Sequence, residues 1–161
     1  MTVFLASTLN GVDRKGRVSV PAHFRSEMAS HSRQTVVVYL NPAAAASAEG
    51  QQQRRYLYAW AYDDFVKLAA RIGQLPALSP VRQRLARTIL AAARPLNFDE
   101  GGRIMLPEHL AKAAGIGENA LFAGEGEYFT IWNPAEFDAQ LVDDGISAAD
   151  DLAELASLWK A

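Results

Sequence analysis

The chain contains no cysteine, so it has no disulfide bonds and no thiolate metal ligands. No run of residues approaches the ~18 apolar residues that span a bilayer. Residues 1–10 lack a basic region and a long apolar segment, which predicts no signal peptide. The three histidines belong to no His/Asp/Glu cluster with the spacing of a metal site. These absences predict a soluble cytoplasmic protein without metal or cofactor.

Motifs that would indicate catalysis are also missing. Ser19 has no neighbouring base and none of the familiar nucleophile motifs occurs. The aspartate pairs at 143–144 and 150–151 lie on an acidic C-terminal segment, which favours a solvated or subunit-facing surface over a catalytic dyad. Residues 124–127 (GEGE) predict a β-turn, because their carboxylates would repel a phosphate. We therefore expect no enzymatic activity.

What the chain does contain is a repeat. Residues 12–24 (VDRKGRVSVPAHF) return as residues 98–110 (FDEGGRIMLPEHL), with Asp, Gly, Arg, Pro and His recurring at an offset of 86. Residues 56–60 match residues 128–132 at an offset of 72. Each copy has only about 45–60 residues, close to the size at which one core becomes marginal. We therefore expect the two copies to share one core.

The first copy is longer by 14 residues, and an Ala- and Gln-rich segment at residues 41–53 accounts for nearly all of this. Its composition offers little to bury, which predicts a surface excursion. A short alanine helix is an equally acceptable interpretation, and neither alternative has a functional consequence.

Each copy reads as a strand, a charged turn, a second strand, a short helix and further strands. Alternation places Val18 and Val20 on one face of the second strand, with Arg17 and Ser19 on the other. Helices are predicted after Pro21 and Pro107 and at residues 63–72, 80–93 and 148–159; further strands are predicted at residues 3–8, 36–40, 56–60, 120–123 and 128–132.

Charge is unevenly distributed along the chain. Residues 1–95 hold 13 Lys and Arg against 5 Asp and Glu, whereas residues 96–161 hold 3 against 13. A basic half suggests an anionic partner such as nucleic acid. Attraction between the two halves, within one chain or between subunits, explains the same pattern, and both interpretations stay open.

The first charged turn favours nucleic acid. Arg14, Lys15 and Arg17 lie within four residues, on a turn that Asp13 opens and Gly16 closes. Arginine commonly contacts guanine in the major groove, and lysine more often reaches phosphate. The Asp13 carboxylate is suited to brace the turn or to orient Arg17. A solvated hairpin with no partner is the alternative, but the duplication and the basic surroundings favour recognition.

The second turn carries less positive charge. It keeps Asp99 and Arg103, but Glu100 and Gly101 stand where the first turn has Arg14 and Lys15. We expect the first turn to contribute most of the affinity and the second to be mainly structural.

These residues resemble those of the MraZ family of bacterial transcriptional regulators, tandem relatives of the AbrB/SpoVT DNA-binding domains. The resemblance rests on DRKGRVSVPAHFR, on DEGGRIMLP, on the arginine-rich linking helix and on residues 129–132. It implies a mixed α+β fold in which two tandem SpoVT/AbrB-like repeats form a pseudo-dimeric double-split β-barrel with flanking helices. The implied divisions are a first repeat at 6–60, a helical connection at 61–94, a second repeat at 95–138 and an acidic helical tail at 139–161.

The function implied by the resemblance is sequence-specific regulation of transcription at the division and cell-wall gene cluster. The protein would be nucleoid-associated and would form a ring-shaped homo-oligomer on double-stranded DNA with repeated promoter elements. Arg17 is the implied DNA contact, with Asp13 as its partner; the full candidate set is Asp13, Arg14, Lys15, Arg17, Asp99 and Arg103. The alternative is a protein-interaction module of the antitoxin type, which binds a protein partner.

Overall fold

The structure is a computed structural model of the chain that describes residues 1–46 and 54–159. Most of the predicted surface excursion at residues 41–53 lies outside the described residues. Its beginning forms a short 3₁₀ helix, Pro42–Ala46.

The described residues form eight strands and five α-helices. The first copy contains β1 (Ser7–Gly11), β2 (Arg17–Ser19), α1 (Ala22–Glu27), β3 (Thr35–Leu40), β4 (Leu57–Ala61) and α2 (Tyr62–Gly73). The connection contains α3 (Pro80–Leu85), which continues as a π-helical turn, Ala86–Leu90. The second copy contains β5 (Arg94–Asn97), β6 (Arg103–Met105), α4 (Glu108–Ala113), β7 (Asn119–Gly124), β8 (Phe129–Trp132) and α5 (Pro134–Trp159).

Two elements begin elsewhere than the sequence predicts. The strand predicted at residues 3–8 starts at Ser7, because Ala6 has a φ of +71°, far from extended backbone. The terminal helix starts at Pro134 and not at residue 148. Asn133 caps it, since its Oδ1 accepts the backbone N–H of Ala135 at 2.9 Å. Proline is favoured in the first helical position, so the start signal was present in the sequence.

The strands interleave the two copies. The main sheet is antiparallel with the order β1-β7-β8-β4-β3-β5, and β2 pairs with β6 in a separate two-stranded ribbon. Within the main sheet, the first strand of each copy pairs with a strand of the other copy: β1 pairs with β7, and β5 pairs with β3. Among the described residues, no pairing between β1 and β5 closes this sheet into a barrel. The mixed α+β class is confirmed.

One core serves both copies, as predicted. Phe4 and Phe24 of the first copy meet Phe129 of the second, with ring centroids 5.0 and 4.8 Å from that of Phe129. All three rings are fully buried and belong to one cluster. Because each copy supplies strands and aromatic rings to the other, burial holds the ribbon and its turns on a common body.

Candidate nucleic-acid interface

The β2–β6 ribbon presents one face to the core and one to solvent. Val18 lies opposite Ile104 in the antiparallel register, and both are buried. The alternation of side chains along a strand therefore places Arg17 and Arg103 on the outer face. The Arg17 side chain is 34% exposed and that of Arg103 is 40% exposed. The predicted alternation is confirmed, and neither arginine is buried.

The first turn is organised by the Asp13 carboxylate. One oxygen accepts the backbone N–H groups of Lys15 and Arg17, each at 2.9 Å, and the other accepts Nε–H of Arg17 at 2.7 Å. Gly16 has a φ of +84° and donates its N–H to the Asp13 carbonyl at 3.0 Å. Asp13 thus braces the turn and orients Arg17 at the same time. Arg14 and Lys15, at the tip, are exposed.

These hydrogen bonds also fix the charge of Asp13. The backbone N–H of Arg17 is the largest cause that lowers the pKa of the carboxyl; desolvation opposes it, and the Arg17 side chain and the Lys15 backbone reinforce it. The group is therefore a carboxylate near neutral pH. Because Asp13 occupies only Nε, the two terminal nitrogens of Arg17 make no hydrogen bond within residues 1–46 and 54–159.

The second turn has the same backbone arrangement. Asp99 accepts the backbone N–H groups of Gly101 and Arg103 and the Nε–H of Arg103, each at 2.9 Å. Gly102 has a φ of +75° and donates to the Asp99 carbonyl at 3.0 Å. The pKa of Asp99 is lowered chiefly by the backbone hydrogen bond from Arg103. The two turns differ in their side chains and not in their framework.

Each turn is held by a strand end of the other copy. Leu106 donates its N–H to the Gly16 carbonyl at 2.9 Å, and Val20 donates to the Gly102 carbonyl at 3.2 Å. The antiparallel pairing puts the turns at opposite ends of the ribbon, while Arg17 and Arg103 line one shallow depression on its outer face. Arg17, Asp99 and Arg103 therefore share this depression, whereas Asp13, Arg14 and Lys15 line a separate recess beside the first turn.

Two cations that the sequence analysis missed lie beside the first turn. A recess of about 650 Å³ there is lined by Arg94 of β5 and Lys112 of α4, together with Arg14 and Lys15. Glu108 lies in the same recess and pairs with Lys112 at 3.1 Å, although both side chains are largely exposed. An exposed pair of this kind contributes little to stability. Asp13 lines the recess as well, so its charged side chains are four basic and two acidic.

A third missed cation, Arg25, lies on the second turn. A Cβ atom on Gly102 would stand 2.5 Å from the Arg25 guanidinium, which would have to move, while the φ of +75° independently favours glycine there. The Arg25 Nε donates to the Val20 carbonyl at 3.2 Å. The corresponding position in the second copy is Ala111, which lines the recess beside the first turn. The repeat shows that only the first copy has an arginine at this position, but it does not indicate that Arg25 reaches the second turn.

Part of the charge asymmetry is satisfied inside the chain. Arg54 pairs with Asp143 at 2.7 Å and with Glu136 at 3.5 Å, and Arg71 approaches Glu127 at 3.9 Å. These contacts connect the basic half to the acidic half. In the part of the chain that the structure describes, Arg14 and Lys15 make no ion pair. The cations of the turn are thus available to an external anion.

Other kinds of site find no support in the described residues. No group of three or more His, Asp or Glu side chains in residues 1–46 and 54–159 is placed to hold a metal ion. Across the same ranges, no helix combines the length and apolar character needed to cross a membrane. His31 has a local partner, since its Nε2 lies 2.7 Å from the Thr2 hydroxyl.

Comparison with known proteins gives consistent matches. A family model described as "MraZ protein, putative antitoxin-like" matches residues 89–156. The protein "Transcriptional regulator MraZ" of Rickettsia canadensis (strain McKiel) is 36% identical over 141 residues, covering 88% of each chain. Proteins of the same name from Pelagibacter ubique (strain HTCC1062) and Hyphomonas neptunium (strain ATCC 15444) are 38% and 33% identical over 136 residues. These two matches cover 84% of this chain, and 81% and 75% of the respective relatives.

Proposed function

The chain belongs to the MraZ family, and from that premise we propose that it is a sequence-specific DNA-binding transcriptional regulator. The DNA-binding surface is the outer face of the β2–β6 ribbon with its two turns. The observation that carries this proposal is the state of Arg17, which is partly exposed and held through Nε by Asp13. The names of the relatives, which describe transcriptional regulators, support the same function.

Arg17 is the proposed base contact. With Nε occupied by Asp13, its two terminal nitrogens can donate two parallel hydrogen bonds to O6 and N7 of a guanine in the major groove. Because Asp13 already restricts the side chain, less conformational entropy is lost when DNA binds. Asp13 is then a positioning residue, and Arg14 and Lys15 contact the phosphate backbone.

The second turn is a weaker copy of the same device. Arg103 is held by Asp99 as Arg17 is held by Asp13. Glu100 repels phosphate where Arg14 would attract it, and Arg25 restores one positive charge from the first copy. We assign Arg103 and Arg25 a smaller share of the DNA affinity.

The target and the assembly follow the family. The protein binds repeated elements in the promoter of the division and cell-wall gene cluster, in the nucleoid, as a ring of protomers built on two SpoVT/AbrB-like repeats arranged as a pseudo-dimeric split barrel. Successive protomers of a ring would meet repeats spaced by about one helical turn of DNA, roughly 10 base pairs. The opposed charges of the two halves support head-to-tail association of this kind.

A second candidate function is a protein-interaction module of the antitoxin type. It is favoured by large apolar residues that stand exposed along α5, away from the β2–β6 ribbon. Under this alternative the acidic tail binds another protein, and duplex DNA is bound weakly or without sequence preference.

Fluorescence anisotropy with the DNA upstream of the protein's own gene, at two salt concentrations, separates the candidates. We expect tight binding that weakens with salt, because displaced counterions contribute to affinity in proportion to the phosphates contacted. A duplex of the same length with scrambled sequence is the control. Equal affinity for both duplexes would contradict the proposed sequence-specific regulator and favour the alternative.

A further inference from the structure

From residue 141 onward, α5 carries an apolar stripe that none of the described residues covers. The helix runs for 26 residues, all described, and none of them is buried. Its large apolar residues from 141 onward are at least 45% exposed. Positions 141, 145, 148, 152, 155 and 159 follow the alternating spacing of four and three that places residues on one side of a helix. They are Leu141, Gly145, Ala148, Leu152, Leu155 and Trp159.

This stripe needs a partner outside the chain. The first part of α5 is tied to the body through Arg54, which pairs with Glu136 and Asp143. Beyond residue 144, no ion pair to the body is present within the described residues. A helical segment of about 15 residues is only marginally stable alone in water, and its stability usually comes from packing an apolar face. A contiguous exposed apolar surface commonly marks an interaction site.

Charge restricts the choice of partner. Between residues 134 and 159, α5 has seven acidic residues and no basic ones. Two α5 helices packed side by side would bring like charges together, which is unfavourable across a helix–helix seam. The fitting partner therefore has an apolar face bordered by cations.

The chain itself presents such a surface, on the connection between its two copies. Across Pro80–Leu90, all described, no residue is buried. This segment has three arginines and no acidic residue. Among the described residues, none of these arginines makes an ion pair. Val81, Leu85 and Ile89 recur at a spacing of four along one side of this segment. Leu78, which precedes the N-cap Ser79, is exposed beside them in the chain.

We infer that α5 of one protomer docks on residues 78–90 of a second copy of the chain. The two apolar stripes pack together, and Asp144 and Asp151, which border the stripe of α5, pair with Arg82 and Arg84, which border the stripe of the connection. Because α5 of one protomer meets the connection of the other, the contact is head-to-tail. A pair of protomers therefore keeps one free connection and one free α5, which can each bind a further protomer. Such contacts close into rings or extend as filaments. This assignment rests on the proposed self-association and is independent of DNA binding.

Charge reversal followed by sedimentation velocity tests the interface. One variant carries Arg82→Glu and Arg84→Glu, and a second carries Asp144→Lys and Asp151→Lys. All of these changes lie on surfaces without buried residues, so the fold is expected to persist, and circular dichroism verifies it. Each variant alone should sediment as the 17.5 kDa protomer at micromolar concentration.

Mixing the two variants should restore the oligomer, because the acidic α5 of one then meets the basic connection of the other. The connection made acidic in the first variant is likewise complementary to the α5 made basic in the second. A third variant, Arg14→Glu with Lys15→Glu, makes the same charge change at the proposed DNA surface. It should keep the oligomer and lose DNA binding.

Each remaining outcome counts against a specific proposal. Oligomers that survive both reversals would overturn this interface while leaving self-association intact. A wild-type protein that is monomeric would overturn self-association itself. The absence of cysteine allows a further check, since Leu155→Cys alone should give no cross-linked dimer on oxidation. A dimer from that variant would indicate that α5 packs against α5.

Discussion

The two turns at the ends of the β2–β6 ribbon share a framework and differ in charge. In both, one aspartate accepts two backbone N–H groups and one arginine Nε–H, and a glycine with positive φ closes the turn. The first turn then adds Arg14 and Lys15, where the second has Glu100 and Gly101. The comparison teaches that Asp, Gly and Arg maintain the geometry, while the two positions between them are free to set the local charge.

The largest expected effect on DNA binding comes from replacing the arginine of one turn or of the other. Arg17→Ala should abolish specific DNA binding, because it removes a bidentate base contact from every protomer, and each such contact is worth about 1–3 kcal/mol of discrimination. Arg103→Ala should weaken binding less, since Glu100 already disfavours DNA there. Anisotropy titrations measure both, and thermal unfolding controls for folding. Equal losses would refute the asymmetry between the turns.

Exchanging charge between the turns should have the next largest effect. Glu100→Arg with Gly101→Lys gives the second turn the cations of the first, and we expect higher affinity with a steeper dependence on salt. Each added phosphate contact changes the slope of log K against log salt by about 0.9. The matched control is Asp138→Arg with Ala139→Lys, which makes the same charge change on α5, outside the residues that line the ribbon and the recess. An unchanged slope would indicate that the second turn does not approach DNA.

A smaller effect is expected from the cation that only one turn possesses. Arg25→Gln should reduce the salt slope by about one contact, since Arg25 lies on the second turn and is one of its two positive charges. Ala111→Arg makes the equivalent change beside the first turn and should raise affinity by filling the basic recess. If Arg25→Gln lowers the melting temperature but leaves the slope of log K against log salt unchanged, Arg25 stabilises the fold and does not contact DNA.

The smallest effect concerns pH, and here the two turns should behave alike. Both Asp13 and Asp99 have lowered pKa values in the folded protein, so the carboxylate contacts stabilise it fully above the ordinary carboxyl pKa. That stabilisation is lost only as pH falls through the lowered values. NMR titration of the two carboxyl groups should therefore show both midpoints below about 3.9. A normal midpoint for Asp99 alone would show that the second turn is less well formed in solution.

Much of the fold could be predicted from local patterns. The alternation around Val18 and the prolines at 21 and 107 predict the second strand and short helix of each copy, and all four elements are present. One helix start was predicted wrongly, since Asn133 and Pro134 begin α5 well before residue 148. A capping asparagine followed by proline is a local signal, so this error lay in the interpretation and not in the information available.

The surroundings of the turns could not be predicted in the same way. Arg25 follows the first turn along the chain but lies on the second, and Arg94 and Lys112 reach the first turn from β5 and α4. These placements depend on β2 pairing with β6 and on each copy lending its first strand to the other. No periodicity within one copy indicates which strand of the other copy it will pair with.

By itself the sequence determined the duplication, the Asp–Gly–Arg framework of both turns and the opposition of charge between the halves. These follow from residue identity and from hydrogen bonds between residues at most four positions apart. Only the tertiary structure decided that the copies interleave, that Arg25 reaches the second turn, and that the described residues leave the apolar stripe of α5 uncovered. Those outcomes arise from the burial of one shared core, whose contacts join residues distant in the chain.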